Sequence, residues 1–307
     1  MATAVEIASE LNLTLVGKTD NEPSEIGTPE NHNANSLCWS KSSKYLSKFK
    51  SGCVICSQSS LKEIKQATDV SYLISTSNPR LDFSKAVNTY LDVQGVVLTN
   101  HVEDHMSRTD IEIGGYCFIG PNVKIGRGTV IYPNSVIHAG TKIGENCVIK
   151  SFCSIGSEGL GYDLDPTTDE YVKFPQVGAV TMSDNVIVGP NSTIRRGALS
   201  DTTIGRGTKI GALVNIGHNC NIGENCILTC MIVTAGSSTI GDNVFIGVNS
   251  VIKNQVSVGN NVTLGQGCVL VRNVFDNETI VGNPGVNIEE YKKWSKIRQQ
   301  LIAESMG

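Results

Sequence analysis

The sequence has one histidine in a setting that suits acid–base chemistry. Among five histidines, His218 alone lies in the most regular part of a repeat, in the run Ile216-Gly217-His218-Asn219-Cys220. An imidazole titrates near neutral pH, so it can accept the proton that an amine loses as it attacks a thioester, which usually contributes ~10²- to 10⁴-fold. We therefore predict that His218 is a general base.

An oxyanion donor is predicted from the same repeat. If one coil holds eighteen residues, Gly236 lies directly above His218, and Asn254 lies above Gly236. The N–H of Gly236 is open to approach because no side chain covers it, and a fixed backbone dipole needs no reorganisation as negative charge develops. We predict that Gly236 donates a hydrogen bond to the tetrahedral oxyanion.

These residues also have plainer interpretations. His218 could be an ordinary surface histidine at a turn, and His138 occupies a similar corner. A covalent route through Cys220, with His218 as its base, is conceivable. Cys220 fills an inward position of the repeat, however, so direct transfer is preferred.

The repeat that must position these residues has a period of six. Isoleucine recurs in eight consecutive steps, at 113, 119, 125, 131, 137, 143, 149 and 155. After an interruption the spacing resumes at Ile204 and continues to Leu270. Six is neither a helical period nor a simple alternation, so each hexad is predicted to be a short strand followed by a turn, with three faces to a coil. Stacked coils form parallel ladders about 4.8 Å apart.

The predicted fold class is mainly β, a left-handed parallel β-helix. The aliphatic residue points inward, and the glycine that commonly follows it, as in Ile143-Gly144, is expected to supply the unusual backbone angles of the turn. The cysteines are predicted to be free thiols, and Cys53 and Cys56 to lie in a buried strand, because no second C-x-x-C completes a zinc site. Six cysteines occupy the small-residue slot of the hexad as compact apolar fillers: Cys117, Cys147, Cys153, Cys220, Cys226 and Cys268.

Three regions are predicted along the chain. Residues 1–100 lack the hexad and form a small α/β domain, residues 101–284 form the β-helix, and residues 285–307 form a C-terminal α-helix. A loop at about 157–181 interrupts the repeat, and long loops on rigid scaffolds often carry function. The last region is expected to cap the end of the prism through apolar residues at helical spacing: Ile288, Tyr291, Trp294, Ile297 and Leu301.

Charge and hydropathy exclude two classes of partner. The net charge is -4, from 25 basic and 29 acidic residues, without a long run of one sign, so a nucleic-acid partner is not expected. No stretch is apolar and long enough to span a bilayer, and the first residues lack the pattern of a signal peptide. The sequence therefore predicts a cytoplasmic protein.

Several segments resemble one family of hexapeptide acyltransferases, the UDP-3-O-acylglucosamine N-acyltransferases of lipid A synthesis. The similar segments are Gly159-Leu160-Gly161-Tyr162, Phe174-Pro175-Gln176, Arg196-Gly197-Ala198-Leu199 and Ile216-Gly217-His218-Asn219. Members have an N-terminal uridine-binding domain, a left-handed β-helix and a C-terminal helix. The resemblance implies that His218 is the general base and Gly236 the oxyanion donor.

The resemblance also implies a nucleotide site in residues 1–100. In the family an aromatic pair six residues apart sandwiches the uracil, and Trp39 and Tyr45 keep that spacing. Core packing is the alternative for both rings. Candidate residues of the substrate or donor groove are Asn215, Asn219 and Asn254.

The acyl donor is left open between two thioesters. A second histidine of the family is replaced around Asn254-Gln255, and an acidic residue has become Arg195. The ending Val281-Gly282-Asn283-Pro284 resembles coenzyme-A-dependent sugar acetyltransferases, which favours acetyl-CoA slightly over a 3-hydroxyacyl carrier protein; no metal is expected. In the superfamily the site lies in the groove where prisms meet, so a homotrimer is predicted.

The predicted function is N-acylation of a UDP-linked amino sugar in cell-surface glycan, lipopolysaccharide or lipid A type biosynthesis. A non-catalytic β-helix scaffold or sugar-binding protein is the alternative from another class. A β-helix carbonic anhydrase would need three histidines converging on zinc, but His101, His105, His138 and His218 are scattered along the coils.

Overall fold

The structure is a computed structural model, and it describes residues 2–64, 69–91, 99–282 and 287–305. An N-terminal sheet with helices precedes a long stack of parallel strands, and one helix follows the stack. The predicted parallel β-helix, with an α/β part before it and a helix after it, is therefore confirmed. The domain limits at residues 100 and 284 stay predictions, and residues 283–286 lie outside the described part.

The N-terminal sheet has five strands in the order β1-β5-β4-β3-β2, with β1 antiparallel to β5 and the other neighbours parallel. Its strands are β1 Thr14–Gly17, β2 Glu25–Ile26, β3 Ser36–Ser40, β4 Gly52–Ser57 and β5 Val70–Ser75. Its helices are α1 Ala4–Glu10 and α2 Pro79–Tyr90, with 3-10 turns at Ser43–Lys48 and Gln58–Glu63. Strand β4 contains Cys53 and Cys56, both fully buried, as expected for a strand with both faces covered.

Helix α2 begins with an asparagine cap followed by a proline. The side chain of Asn78 accepts hydrogen bonds from the backbone N–H groups of Arg80 and Leu81, and Pro79 follows as the first helical residue. Asparagine satisfies N–H groups that have no partner in a first turn, and proline has no N–H to satisfy. This cap fixes the position from which Arg80 projects toward the β-helix.

The short helix α3, Glu103–Met106, precedes the β-helix. The β-helix consists of three parallel sheets, which form the three faces of a prism. The first face contains Phe118–Ile119, Val136–Ile137, Ser154–Ser157, Thr193–Arg195, Asn215–Ile216, Val233–Thr234, Val251–Ile252 and Val269–Leu270. The second face contains Lys124–Ile125, Lys142–Ile143, Val180–Met182, Thr202–Ile204, Asn221–Ile222, Thr239–Ile240 and Ser257–Val258. The third face contains Glu112–Ile113, Val130–Ile131, Val148–Ile149, Ile187–Val188, Lys209–Ile210, Ile227–Leu228, Phe245–Ile246, Thr263–Leu264 and Thr279–Ile280.

The hexad positions have the predicted burial, but the turn chemistry differs from the prediction. The repeated aliphatic residues form one continuous core, and the six hexad cysteines lie in it. Except at Gly156, which has φ 91°, the glycine after the aliphatic residue does not supply the unusual angles. A Cβ on Gly126 would lie 2.4 Å from the carbonyl carbon of Gly144, so glycine is needed there for close stacking of coils. The left-handed angles belong mostly to asparagine, such as Asn146 at φ 54°. Asparagine tolerates this region better than other side-chain-bearing residues.

One coil was not predicted, because its inward residues are not isoleucine throughout. Met182, Val188 and Ile194 are buried at six-residue spacing directly after the predicted interruption. The repeat is interrupted twice, by residues 158–179 (the long insertion) and 196–201 (the short insertion). Both leave the corner between the first and second faces. Both insertions therefore lie at one corner of the prism, and this is where the N-terminal part of the chain meets it.

The C-terminal helix forms, but it does not cap the prism as predicted. Helix α4 spans Ile288–Ser305, and all its residues are exposed except Ser295, which is half-buried. Its apolar stripe is therefore not packed against the described residues. None of the helices in the described ranges has the length and hydropathy required to cross a membrane.

Candidate functional site

The two insertions join the N-terminal sheet to the β-helix. Phe174 of the long insertion and Ala198 of the short insertion are buried in the cluster that contains Leu37 and Phe83 of the N-terminal part. The ring of Trp39 meets Phe174 edge-on, with 6.1 Å between ring centroids. Edge-to-face packing at this distance is favourable. The core of the N-terminal sheet therefore continues into the corner of the prism.

A hairpin within the long insertion is held against helix α2 by two ion pairs. Its strands are Tyr162–Asp165 and Glu170–Lys173. Arg80 pairs with Asp163, and Nζ of Lys85 lies 2.6 Å from Oδ2 of Asp165. The hydrogen bond from Lys85, followed by those from Thr167, lowers the pKa of Asp165 to about 2.

His218 lies at the same corner, between two glycines. A Cβ added to Gly236 would lie 2.5 Å from Nε2 of His218, and one added to Gly159 would lie 2.9 Å from its Cδ2. The half-buried imidazole is therefore enclosed by the next coil on one side and by the long insertion on the other. Stacking of Gly236 on His218 was expected from the eighteen-residue coil. The contact with Gly159 was not, because the path of the insertion has no periodicity.

Asn219 fixes the imidazole from the side. Its Oδ1 lies 3.0 Å from Nδ1 of His218 and accepts the backbone N–H of Ala198 at 2.9 Å. Its Nδ2 donates to the carbonyl and hydroxyl oxygens of Ser200. These partners define which atom of the Asn219 amide is oxygen, so Nδ1 of His218 must carry the proton and Nε2 is the basic nitrogen.

Two buried amide oxygens, one in the long insertion and one on the first face, have no hydrogen-bond partner among the described residues. They are Oε1 of Gln176, whose residue is only 6% exposed, and Oδ1 of Asn215, three residues before His218. Oε1 of Gln176 would lie 3.1 Å from a Cβ on Gly159, which also touches His218. Asn215 was a sequence candidate; Gln176 was not, although it is a polar residue in an apolar run.

Trp39 and Tyr45 share one cavity of about 290 Å³. Both rings lie at its wall, and Nζ of Lys48 lies 5.2 Å from the centre of the Tyr45 ring. Leu199 of the short insertion lines the cavity as well, next to the residues that Asn219 holds. The remaining lining residues are Gly27, Thr28, Pro29, Ser40, Lys41 and Ser42.

The other sequence candidates lie apart from this site or face inward. Asn254 is exposed one coil above Gly236, near the outer end of the stack. Cys220 is fully buried, and this burial raises the pKa of its thiol, which disfavours a covalent route. His138 is half-buried near Ser154, and burial lowers its pKa. The described residues hold no group of three or more side chains suited to a metal ion.

The three-faced coil and its hexads define the class of fold, a parallel β-helix built from six-residue repeats. The family model described as bacterial transferase hexapeptide (six repeats) matches residues 122–157, 201–229 and 237–272, all within the β-helix. Among curated proteins, UDP-3-O-acylglucosamine N-acyltransferase of Bordetella parapertussis is 31% identical over 150 residues, which is 48% of this chain and 41% of that protein. The enzyme of that name from Methylobacterium nodulans is 41% identical over 93 residues, or 30% of this chain and 26% of that protein. The matched region thus spans less than half the length of these relatives.

Solved structures support the same fold. LpxA from Acinetobacter baumannii is 28% identical, with a TM-score of 0.52 over 61% of this chain and 71% of that chain. The UDP-N-acetylglucosamine acyltransferase of Francisella novicida gives a TM-score of 0.51 at 24% identity, over 61% of this chain and 70% of that chain. At that identity the second likeness concerns the fold alone.

Proposed function

We propose that this chain is an N-acyltransferase that moves an acyl group from a thioester to the amino group of a UDP-linked amino sugar. The proposal rests on the continuity between the cavity of Trp39 and Tyr45 and the imidazole of His218. The cavity of Trp39 and Tyr45 connects through Leu199 and its neighbours to Asn219, and Asn219 holds the imidazole of His218. A nucleotide and a general base would thus share one rigid corner, as the names of the curated relatives suggest.

In the proposed reaction Nε2 of His218 accepts a proton from the attacking amine. The amine nitrogen bonds to the thioester carbon, and the carbonyl oxygen becomes an oxyanion. The N–H of Gly236, which donates no backbone hydrogen bond to the described residues, would donate to that oxygen. Collapse breaks the carbon–sulfur bond, and the imidazolium returns its proton to the leaving thiolate. Asn219 keeps Nδ1 protonated throughout, so that Nε2 stays basic.

Gln176 and Asn215 supply acceptors for the amino sugar. A buried acceptor without a partner is unfavourable by about 1–3 kcal/mol, so a ligand that brings donors relieves this penalty. An amine offers more than one N–H, of which His218 takes one and Oε1 of Gln176 can accept another. Asn254, on the exposed side of Gly236, is proposed for the donor groove.

Trp39 and Tyr45 are proposed to hold the uracil ring between them. Tyr45 is exposed and lies below the Lys48 ammonium, so its ring is accessible to a ligand. Trp39 is backed by Phe174, which reduces the freedom of the indole before binding. The donor proposed first is acetyl-CoA and second a 3-hydroxyacyl carrier protein, in glycan or lipid A type biosynthesis. The cytoplasmic location expected from the sequence stays a prediction.

A homotrimer is proposed from the distribution of apolar side chains on the prism. The corner between the first and third faces carries exposed apolar residues that adopt left-handed angles: Tyr116, Phe152, Leu213 and Met231. We call these four residues the apolar edge. Such angles cost about 1–3 kcal/mol each for residues other than glycine, and exposed apolar clusters mark contact surfaces. The second face is polar, with outward residues such as Lys124, Lys142 and Asn221. Packing on the apolar edge would extend over the first face toward His218.

The function is tested by turnover. The pure protein is incubated with a UDP-amino sugar and, in parallel, with acetyl-CoA or a 3-hydroxyacyl carrier protein, and release of free thiol is followed. We expect turnover with one donor and a loss of ~10²- to 10⁴-fold in His218→Ala. Binding of UDP without turnover with either donor would instead favour the sugar-binding alternative.

A further inference from the structure

Two consecutive arginines of the prism hold the two ends of the long insertion. Arg195 is the last residue of the first-face strand Thr193–Arg195, and Arg196 follows it. Nη1 of Arg195 donates a hydrogen bond to the carbonyl oxygen of Glu158 at 2.7 Å, where the insertion leaves the prism. Nε of Arg196 donates to the carbonyl oxygen of Gly178 at 2.7 Å, where the insertion returns. Both ends of the insertion are therefore fixed by one strand end.

The two arginines differ in their other contacts. Nη2 of Arg196 also donates to the carbonyl oxygen of Ala139 in the prism, and burial lowers the pKa of its guanidinium. Arg196 therefore belongs to the packing of the corner. Arg195 is half-buried, and in the described part of the chain the Glu158 carbonyl oxygen is its only hydrogen-bond acceptor and no carboxylate pairs with it. Its one strong contact is thus with the peptide group that begins the insertion.

The peptide group that Arg195 holds leads directly to the imidazole of His218. It joins Glu158 to Gly159, and a Cβ on Gly159 would lie 2.9 Å from Cδ2 and 3.0 Å from Cβ of His218. The side chain of Glu158 is held as well, because its Oε2 lies 2.6 Å from Nζ of Lys173. A shift of this peptide group would therefore leave space beside the ring.

We propose that Arg195 is a positioning residue for His218: it holds the peptide group between Glu158 and Gly159 so that the imidazole keeps the orientation that Asn219 sets. The inference rests on the proposed function, in which Nε2 of the ring accepts a proton from the amine. A general base acts only within hydrogen-bond reach of that proton, so a ring with more freedom reaches the productive geometry less often. Asn219 restrains the ring at Nδ1, and Gly159 restrains it at Cβ and Cδ2.

The test compares Arg195→Met with Arg108→Met. Nη1 of Arg108 also donates to a backbone carbonyl oxygen at 2.7 Å, that of Ile125, which lies in the end strand of the second face. Because a displacement of about 1 Å can lower rates ~10²-fold, we expect Arg195→Met to lower kcat by about tenfold to 10²-fold. The KM of both substrates and the melting temperature should change no more than in Arg108→Met. Arg195→Lys should restore most of the lost rate, since a single N–H donor makes the bond.

A double-mutant cycle shows whether Arg195 acts through Gly159. Gly159→Ala should also lower kcat, because its Cβ would meet the imidazole. If Arg195 acts through this glycine, the double variant loses no more than the larger single loss, whereas the losses of independent sites multiply. Losses that multiply would overturn the inference. So would a raised KM of the amino sugar in Arg195→Met, which would mean that the guanidinium binds the substrate, or a shifted pH profile with an unchanged limiting kcat, which would mean that its charge acts.

Chemical modification separates this inference from the proposed function, because it needs no turnover. Diethyl pyrocarbonate acylates neutral imidazole nitrogens, and mass spectrometry of peptides gives the rate at each histidine. We expect His218 to react faster in Arg195→Met than in wild type, while His101, before the first coil, reacts equally fast in both. If His218 reacts faster in a protein that acylates no amino sugar, Arg195 holds the ring and the acyltransferase proposal fails. An unchanged rate at His218 would overturn the positioning role.

Discussion

Glycine residues shape the site as much as the histidine does. Gly236 and Gly159 enclose the His218 ring at distances that leave no room for a methyl group. The sequence predicted the first of these contacts because stacked coils repeat at eighteen residues. It could not predict the second, since Gly159 reaches the ring through an insertion without a period.

Replacement of Gly236 by alanine should displace the imidazole. The new Cβ would lie 2.5 Å from Nε2 of His218, too close for both groups to keep their positions. Because a displacement of about 1 Å can lower rates ~10²-fold, we expect at least that loss in kcat with little change in melting temperature. Gly115→Ala is the matched control, because no atom of the described residues lies within 4 Å of its added Cβ. Full activity in Gly236→Ala would argue against His218 as the base.

Gln176→Leu should change stability and activity in opposite directions. The buried Oε1 has no partner in the described part of the chain, and Nε2 makes only a long bond of 3.4 Å, so an apolar side chain of similar size removes a penalty of about 1–3 kcal/mol. We expect a higher melting temperature by calorimetry and a higher KM for the amino sugar. Gln299→Leu on the exposed helix α4 should change neither. A lower melting temperature with unchanged KM would assign Gln176 a packing role alone.

Among the elements, the inserted hairpin contributes most that the sequence could not predict. The interruption at about 157–181 was predicted from the lost period, but the ion pair between Arg80 and Asp163 of the hairpin joins residues 83 apart in the chain. Pairing at that separation depends on where the N-terminal sheet docks. Helix α4 is the opposite case: its periodicity predicted the helix correctly, and the inferred packing was wrong.

The ion pair between Lys85 and Asp165, which helps to hold the hairpin against helix α2, should weaken in acid. The folded-state pKa of Asp165 is lowered to about 2, from ~3.9 in an unfolded chain, so its contribution is present above pH ~4 and lost as the pH falls toward 2. We expect Asp165→Asn to lower the melting temperature at pH 7 and to flatten its decline between pH 4 and 2. Asp169→Asn, exposed in the same hairpin, is the control. If the melting temperatures of wild type and Asp165→Asn fell in parallel between pH 4 and 2, the ion pair of Asp165 would not stabilise the fold.

Over the whole prism, apolar and polar outward residues are unevenly distributed: one edge is apolar, and the second face is polar. The β-helix could be predicted from the hexads, because one inward residue in every six is enough to specify a coil. The arrangement of the outward residues is equally regular, but its meaning depends on which strands become neighbours on one face. Only the stacked coils bring the four residues of the apolar edge together. The two faces that meet at this edge also carry outward apolar side chains, such as Val233 and Phe245.

Substitution with asparagine on the apolar edge should disrupt assembly without disrupting folding. Leu213 and Met231 stand where this chain elsewhere places asparagine, at φ 58°. Leu213→Asn with Met231→Asn should therefore keep or raise the melting temperature of the isolated chain while abolishing the proposed trimer in analytical ultracentrifugation. Ser237→Asn, at φ 60° on another corner, should leave the assembly intact. A trimer that persists in the double variant would move the interface to another surface.

The burial of the cysteines has a practical consequence. Nine of the ten thiols are buried, with pKa values raised by desolvation, as for Cys38 and Cys56 at about 12, so they react slowly with maleimides at neutral pH. Cys230 is exposed, one residue before Met231 of the apolar edge. The natural chain thus carries a single addressable position for a fluorophore or spin label. A reporter there would sense whether neighbouring prisms meet, without any engineering of the protein.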